Sequence, residues 1–341
     1  MRIAVVASPV TPLRPAQLGG AQAVVSDLAA GLVARGHDVT LHCAQGSDVP
    51  GVKLATVPVP SDAAEALVMP GGRPPPPTPG VANALAAMFA AIGRDRVDVI
   101  SQHAFDAPAF ELSREMPVLH TLHLPPLVEA VTDAVRPVAA PRLAAVSRSC
   151  RASWLAAGVA VESVLLNGVS ALDVKSAPSR AALIAGRISP EKGIEHAIAA
   201  ARAVGLEVNV AGAHYDPAYV VNLSGTVQLG AVPRDELRQV MADSAVTICA
   251  VRWDEPFGMV AAEAQMAGCP VAAYRRGAMQ EVVEEGVSGF LAEPDDIPSL
   301  TDAVRECLSL DRAAVRASAQ RRLSLEAMLD RYEGALEQAA R

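Results

Sequence analysis

Two cations and two glycines lie together in Gly186-Arg187-Ile188-Ser189-Pro190-Glu191-Lys192-Gly193, directly after a short apolar run and directly before a helical pattern that starts near Ile194. A helix N-terminus has unpaired backbone amides and a positive dipole end, so adding a guanidinium and an ammonium there makes a site for an anion such as a phosphate or diphosphate. The competing reading is a solvated loop with one capping carboxylate. Of the 29 lysines and arginines only Lys53, Lys175 and Lys192 are lysines, which makes a lysine at this position more telling than in an average composition.

A second segment reads Val251-Arg252-Trp253-Asp254-Glu255-Pro256-Phe257-Gly258-Met259, followed by an apolar stretch that contains Glu263. Pro256 and Gly258 fit a turn that opens a helix, which would leave the amides of Phe257, Gly258 and Met259 free for a ligand. Glu255 then stands at the edge of that ligand site. Glu263 falls inside the apolar helix, and a carboxylate buried there needs donors. A ribose diol would supply two hydroxyls, although an isolated glutamate on the outer helix face is the simpler alternative. Two carboxylates also invite an acid/base reading, which spacing alone does not support.

The elements that must hold these residues follow from length and pattern. At roughly 100 to 200 residues per domain, 341 residues argue for two domains. With 51% hydrophobic and 19% charged residues the chain has ample material for buried cores. A net charge of −8 offers no positive field for nucleic acid, and 3% aromatics leave too few rings for a stacking platform. Five cysteines at wide spacing, none in a C-x-x-C pair, support neither a disulfide framework nor a zinc site. The opening apolar run ends at Pro9, too short for a secretory signal, and no window reaches the ~18 apolar residues of a spanning helix, so a soluble cytoplasmic protein is expected.

Short apolar runs alternate with helical patterns, the signature of α/β units with parallel strands. Strands are expected at 3–7, 38–43, 51–59, 98–101, 117–122, 142–146 and 163–166 in the first half. In the second half they are expected at 182–185, 207–211, 226–229, 246–250 and 270–274. Residues 21–34 read as the first helix. The proline-rich run 70–80 reads as an exposed loop, because proline supplies no amide donor. The polar, turn-rich stretch 170–180 marks the expected domain boundary, giving domains at 1–170 and 171–322. A helix at about 323–341, striped by Leu325, Leu329, Tyr332 and Leu336, is expected to return to the first domain. In open α/β sheets ligands bind beyond the carboxyl ends of the strands, so the site is expected between the halves.

Taken together, the first segment and Glu255-x7-Glu263 about sixty residues later resemble the large glycogen-synthase-like family of retaining GT-B glycosyltransferases (glycosyl transferases group 1, family 4 type). Further matching stretches are Leu229-Gly230, Arg234-Asp235-Glu236-Leu237, 267–271 and 286–291. In the first half they are Gly19-Gly20, 35–39, Thr121-Leu122-His123, Val146-Ser147 and Asn167-Gly168-Val169. Ser170 stands where the family carries aspartate, and Asp254 precedes Glu255 where small or aromatic residues are common.

The resemblance implies a GT-B fold, two Rossmann-like doubly wound domains facing each other across a cleft, with a nucleotide diphosphate sugar held mainly by the second domain. On that basis Arg187 and Lys192 would neutralise the diphosphate, and Gly186 would belong to the same loop. Glu263 would take the ribose hydroxyls. Glu255 with the amides of Phe257, Gly258 and Met259 would hold the transferred sugar. Gly19 and Gly20 would approach the diphosphate, and His103 or His123 would line the acceptor side, with Thr-x-His favouring His123. A structural role for either histidine is an equal alternative. No metal is implied, since Arg187, Lys192 and helix N-termini replace a cation, and no cofactor is implied beyond the nucleotide-sugar co-substrate. UDP-sugars are favoured, with GDP-sugars as the alternative donor.

Residues 21–34 contain no lysine or arginine and include Asp27, so that helix lacks attraction for anionic lipid and a small soluble acceptor is expected. A nucleotide-sugar epimerase or a phosphorylase on the same fold, and a non-catalytic sugar-binding protein, stay open as alternatives. A Rossmann oxidoreductase is weaker, because Gly-x-Gly-x-x-Gly does not follow the first strand.

Overall fold

Strands as short as those read from the sequence are stable only when paired in a sheet, and the computed structural model pairs them, with the inner strands buried and the edge strands Lys53–Val57 and Val227–Gly230 partly or wholly exposed. It describes residues 1–14, 19–67, 70–72, 75–171, 179–214 and 218–341. The chain divides into two compact units, one of Met1–Leu166 with Met328–Arg341 and the other Asn167–Ala327.

In the first unit the order is β1 (Arg2–Val6), α1 (Gly20–Ala34), β2 (Asp38–Ala44), β3 (Lys53–Val57), α2 (Pro79–Arg94), β4 (Val99–Gln102) and α3 (Ala107–Leu112). It continues through β5 (Val118–Leu122), α4 (Glu129–Val135), β6 (Leu143–Ala145), α5 (Arg148–Ala156) and β7 (Ser163–Val164). The strands form one parallel sheet in the order β3-β2-β1-β4-β5-β6-β7. The order reverses beside β1, and this is where an open α/β sheet places its ligand crevice.

The second unit runs β8 (Ala181–Ala185), α6 (Ile194–Ala203), β9 (Glu207–Ala211), β10 (Val227–Gly230), α7 (Arg234–Asp243), β11 (Val246–Cys249), α8 (Met259–Met266) and β12 (Val271–Tyr274). After these come α9 (Met279–Val282), β13 (Gly289–Ala292), α10 (Ile297–Cys307) and α11 (Arg312–Arg322), and the chain closes with α12 (Leu325–Ala339), which from Met328 on belongs to the first unit. Its sheet is also parallel, ordered β10-β9-β8-β11-β12-β13, with the switch between β8 and β11. Among the described residues, the core beneath α6 and α10 is built from Ala182, Ile184, Ile198, Val208, Ile248 and Leu300, all buried. The five cysteines are free and buried, and no helix among the described residues is long and apolar enough to cross a membrane.

The boundaries differ from the sequence expectation for a physical reason. Val169 donates its amide to Leu323 O at 2.8 Å and accepts from Leu325 N at 3.0 Å, so 167–169 pairs with the entry to α12 inside the second unit. The units therefore part after Leu166 instead of residue 170, and again at Met328 within α12 instead of at 323. Most of the turn-rich stretch 170–180 lies outside the described residues. Of the proline-rich run, Pro79 and Gly80 are the first turn of α2 and not loop; proline fits that place because the amide it lacks would be unpaired anyway. β13 is an unforeseen strand, inside a stretch noted only as a motif.

The part of α12 that belongs to the first unit buries Met328, Leu329, Tyr332 and Leu336, so Met328 takes the place in the stripe expected of Leu325. Tyr332 donates its hydroxyl to Thr121 Oγ1 at 3.2 Å. Glu333 binds the end of α1: His37 Nε2 donates to Oε1 at 2.8 Å, and Arg35 pairs with Oε2. Burial works against the Glu333 carboxylate, but the hydrogen bonds from His37 and Arg35 and the charge of Arg35 outweigh it and hold its pKa below 4.5. A depressed carboxyl pKa contributes stability that is present above the unfolded value and lost as pH falls through the folded one. The melting temperature of Glu333→Gln is therefore expected to lie below that of the parent chain at pH 7, and the gap to close as the pH is taken below 4.5. A gap independent of pH would remove the ionic part of this contact.

Candidate functional site

The loop after β8 and the loop after β11 are neighbours because those strands are adjacent in the sheet. The first continues as a single turn, Pro190–Lys192, and enters α6 through Gly193, which sits in the left-handed region at φ 60°. A Cβ on Gly193 would lie 2.0 Å from Ala250 O, so only glycine lets the two loops approach this closely. Arg252 N donates to Glu191 O at 2.8 Å as a second clamp.

Across this junction Lys192 Nζ donates to Glu255 Oε2 at 2.8 Å, and the Trp253 indole N–H donates to the same oxygen at 2.9 Å. Lys192 also lies 5.9 Å from the centre of the Trp253 ring, within cation–π range. Arg187 Nη2 stands 3.4 Å from Glu191 Oε1, which Ser189 Oγ fixes at 2.7 Å. Each cation of the segment thus has a carboxylate neighbour, whereas the sequence reading had counted only the cations. The positive potential at this edge rests on geometry: the amides that open α6 and α8 add to two side chains whose charges are locally balanced.

Gly186 directly follows β8, with φ 128°. Gly258 caps α8 in the left-handed region at φ 93°, with Phe257 buried beneath it and Met259 as the first helical residue. The turn expected from Pro256 and Gly258 is present, and α8 runs Met259–Met266.

Glu263 lies inside α8 and is 6% exposed, so it is not on an outer helix face. Its Oε1 accepts from Arg234 Nε at 2.6 Å and stands 3.5 Å from Arg238 Nη2. The donors that a buried carboxylate requires come first from α7, not from a ligand. Neither arginine had been assigned a role. The signal was available, since Arg234 and Arg238 are four residues apart and share one helix face. Trp253 was likewise quoted without a function, and no pattern in the sequence announces its indole bond.

The first unit gathers a separate polar group at the carboxyl ends of β4 and β5. His103 and His123 are both buried, with His103 Nδ1 2.9 Å from His123 Nε2 and His103 Nε2 2.9 Å from Ser101 Oγ. Burial holds His103 well below its ordinary pKa, with the neighbouring His123 adding to the effect, and burial pulls His123 down to about 4. Both are neutral at pH 7. Both ring nitrogens of His103 are engaged within the chain, whereas His123 Nδ1 has no partner among the described residues. Asp106, after β4, was not foreseen: burial raises its carboxyl to about 6 against the pull of a bond from Ser8. Gly19 caps α1 and Gly20 is its first residue, while 15–18 before them lie outside the described residues.

Replacing Glu263 by Gln should destabilise the fold by about 3 kcal/mol or more, since it removes the carboxylate that two largely buried guanidinium groups share. Urea unfolding measures this without reference to activity, and an unchanged midpoint would show that those cations are balanced elsewhere.

Two family models match the chain, Glycosyltransferase Family 4 over residues 18–170 and Glycosyl transferases group 1 over 174–323. Glycogen synthase of Mycobacterium tuberculosis is 29% identical over 191 residues, covering 51% of this chain and 46% of that protein. D-inositol 3-phosphate glycosyltransferase of Mycolicibacterium smegmatis is 34% identical over 148 residues, 40% of this chain and 34% of that one. The chain therefore spans less than half the length of these curated relatives. Among solved structures, AviGT4, a glycosyltransferase involved in avilamycin A biosynthesis, superposes with a TM-score of 0.75 at 22% identity, covering 99% of this chain and 98% of that one. Anabaena HepE in complex with UDP and glucose superposes at 0.74 with 17% identity, covering 98% and 99%. These likenesses show the GT-B fold, and the two family models together span nearly the whole sequence: the chain belongs to the group 1, family 4 glycosyltransferases.

Proposed function

We propose that the protein transfers a hexose from a nucleotide diphosphate sugar, a UDP-sugar in preference to a GDP-sugar, to a hydroxyl of a small soluble acceptor, with retention at the anomeric carbon. The observation that carries this reading is the junction of Lys192, Glu255 and the opening amides of α8 on neighbouring strand ends. An anion settling there meets Arg187, Lys192 and the N-termini of α6 and α8, which supply the positive charge that a metal ion supplies to leaving phosphates elsewhere. The complexes of HepE with UDP and with UDP-glucose support a uridine donor.

In this reading the Arg187 guanidinium and the Lys192 ammonium stabilise the diphosphate as the bond to the sugar breaks. Glu255, with Oε2 occupied by Lys192 and Trp253, turns Oε1 to the sugar hydroxyls. The amides of Phe257, Gly258 and Met259 hold the same sugar. Glu263 keeps Oε2 for the ribose hydroxyls while its Oε1 stays on the two arginines of α7. The acceptor lies on the side of His123. The lack of basic residues across 21–34 supports a soluble acceptor over a lipid one.

A melting panel with UDP-, GDP-, ADP- and dTDP-sugars tests donor binding, because a ligand that binds only the folded state raises the melting temperature. UDP-sugars should give the largest rise, and no rise with any nucleotide sugar would overturn the reading. Turnover should require an acceptor and release the nucleoside diphosphate, and the product's anomeric configuration should match the donor's. Lys192→Ala is expected to lower turnover by about 100-fold or more, as loss of one charge-stabilising donor does elsewhere. An unchanged rate would remove Lys192 from the mechanism.

A further inference from the structure

The polar chain on the first unit has a definite direction. Ser101 and His103 are two residues apart along β4 and its exit, so both side chains point to one face of the sheet. Ser101 is wholly buried, and its only hydrogen-bond partner among the described residues is His103 Nε2, at 2.9 Å. His103 Nδ1 continues the chain to His123 Nε2, also at 2.9 Å.

A neutral imidazole carries one ring N–H and one lone pair, so each contact in the chain can hold one hydrogen and the whole chain can point in only two ways. In one, His123 Nε2–H donates to His103, and His103 Nε2–H donates to Ser101. The serine hydroxyl hydrogen is then left in a buried place without an acceptor, at a cost of about 1–3 kcal/mol. In the other, the serine hydroxyl donates to His103 Nε2 and His103 Nδ1–H donates to His123 Nε2, which leaves His123 Nδ1–H as the hydrogen without a receiver among the described residues. The second arrangement wins because it moves the unpartnered hydrogen from the wholly buried Ser101 to His123, which is 7% exposed and can meet water or a ligand.

We propose that Ser101, acting through His103, fixes His123 as the Nδ1–H tautomer, so that His123 presents a hydrogen-bond donor and not a proton-accepting lone pair. The acceptor-side role of His123 rests on the function proposed above; its tautomer does not. His123 is 7% exposed, and Nδ1 is the ring nitrogen that the chain leaves unengaged among the described residues. The group it recognises is therefore an oxygen lone pair, on a hydroxyl, a carboxylate or a phosphate. It does not take the proton of the attacking hydroxyl. Ser101 and His103 are positioning residues.

The test uses the full chain labelled with 15N-histidine, without donor or acceptor, and two-bond proton–nitrogen correlation spectra at pH 7. The His123 signals are assigned by their loss in His123→Gln. The expected result is a protonated-type shift at Nδ1 of His123 and an unprotonated-type shift at Nε2. The reverse pattern in the parent chain overturns the proposal and needs no variant to fold. Ser101→Ala, with melting checked alongside, should move His123 toward Nε2–H or a mixture. A spectrum unchanged by that substitution would overturn the part assigned to Ser101. Because the spectra are read without substrates, they stand whether or not transferase activity is found. A silent activity assay beside the expected tautomer would count against the proposed function alone.

Discussion

The contact between the Lys192 ammonium and the Glu255 carboxylate holds the rest of the second unit's site in place. Largely withdrawn from water, such a pair interacts more strongly than one on an open surface, since the effective dielectric around it is lower. It ties the exits of two neighbouring strands, and the close approach at Gly193 gives that tie its geometry. On the proposed function an anion drawn to Lys192 would also meet Glu255, so a fitting ligand would bring hydroxyls for the carboxylate together with negative charge for the ammonium. A sugar joined to a diphosphate carries both, whereas inorganic phosphate carries only the second.

Glu263 shows a different economy of charge. One carboxylate oxygen serves two guanidinium groups of α7, which fixes α7 against α8 and at the same time orients the other oxygen. On the proposed function, stability and recognition would share this residue, and a substitution there would disturb both. Trp253 does the same for Glu255 on a smaller scale: its indole N–H and the lysine together occupy Oε2.

Much of this was legible in the sequence. Short apolar runs could only be parallel strands once helical patterns separated them, and all of the strands expected are present to within a few residues. β13 is no shorter than β4, β10, β11 or β12, but it opens on Gly289 and leaves only Phe290-Leu291-Ala292 as an apolar run before Glu293-Pro294, and it escaped for that reason. The unit boundary escaped because it depends on Val169 pairing with the entry to α12, more than 150 positions away, and no local composition records a long-range pair. In the candidate site, Lys192, Glu255 and Glu263 stand in stretches that the sequence already marked. Arg234 and Trp253 lie in quoted stretches too, but what they and Arg238 bind, like the Ser101 contact with His103, emerges only when strands and helices bring them together. The deduction that a buried Glu263 must have donors was sound, but sequence offered no way to tell a ribose from an arginine.

The last helix has a consequence for how the molecule is made. The first unit is finished by Met328, Leu329, Tyr332 and Leu336, yet 161 residues of the other unit stand between these and Leu166 in the chain. During synthesis the apolar surface that Leu329 will cover at Gly31 of α1, and the Thr121 hydroxyl that awaits Tyr332, are made early and must wait for the C-terminal segment to leave the ribosome. Nascent chains cut off before position 328 would carry that surface bare. The first unit is thus discontinuous in the chain, and its last packed residues are the last to be made.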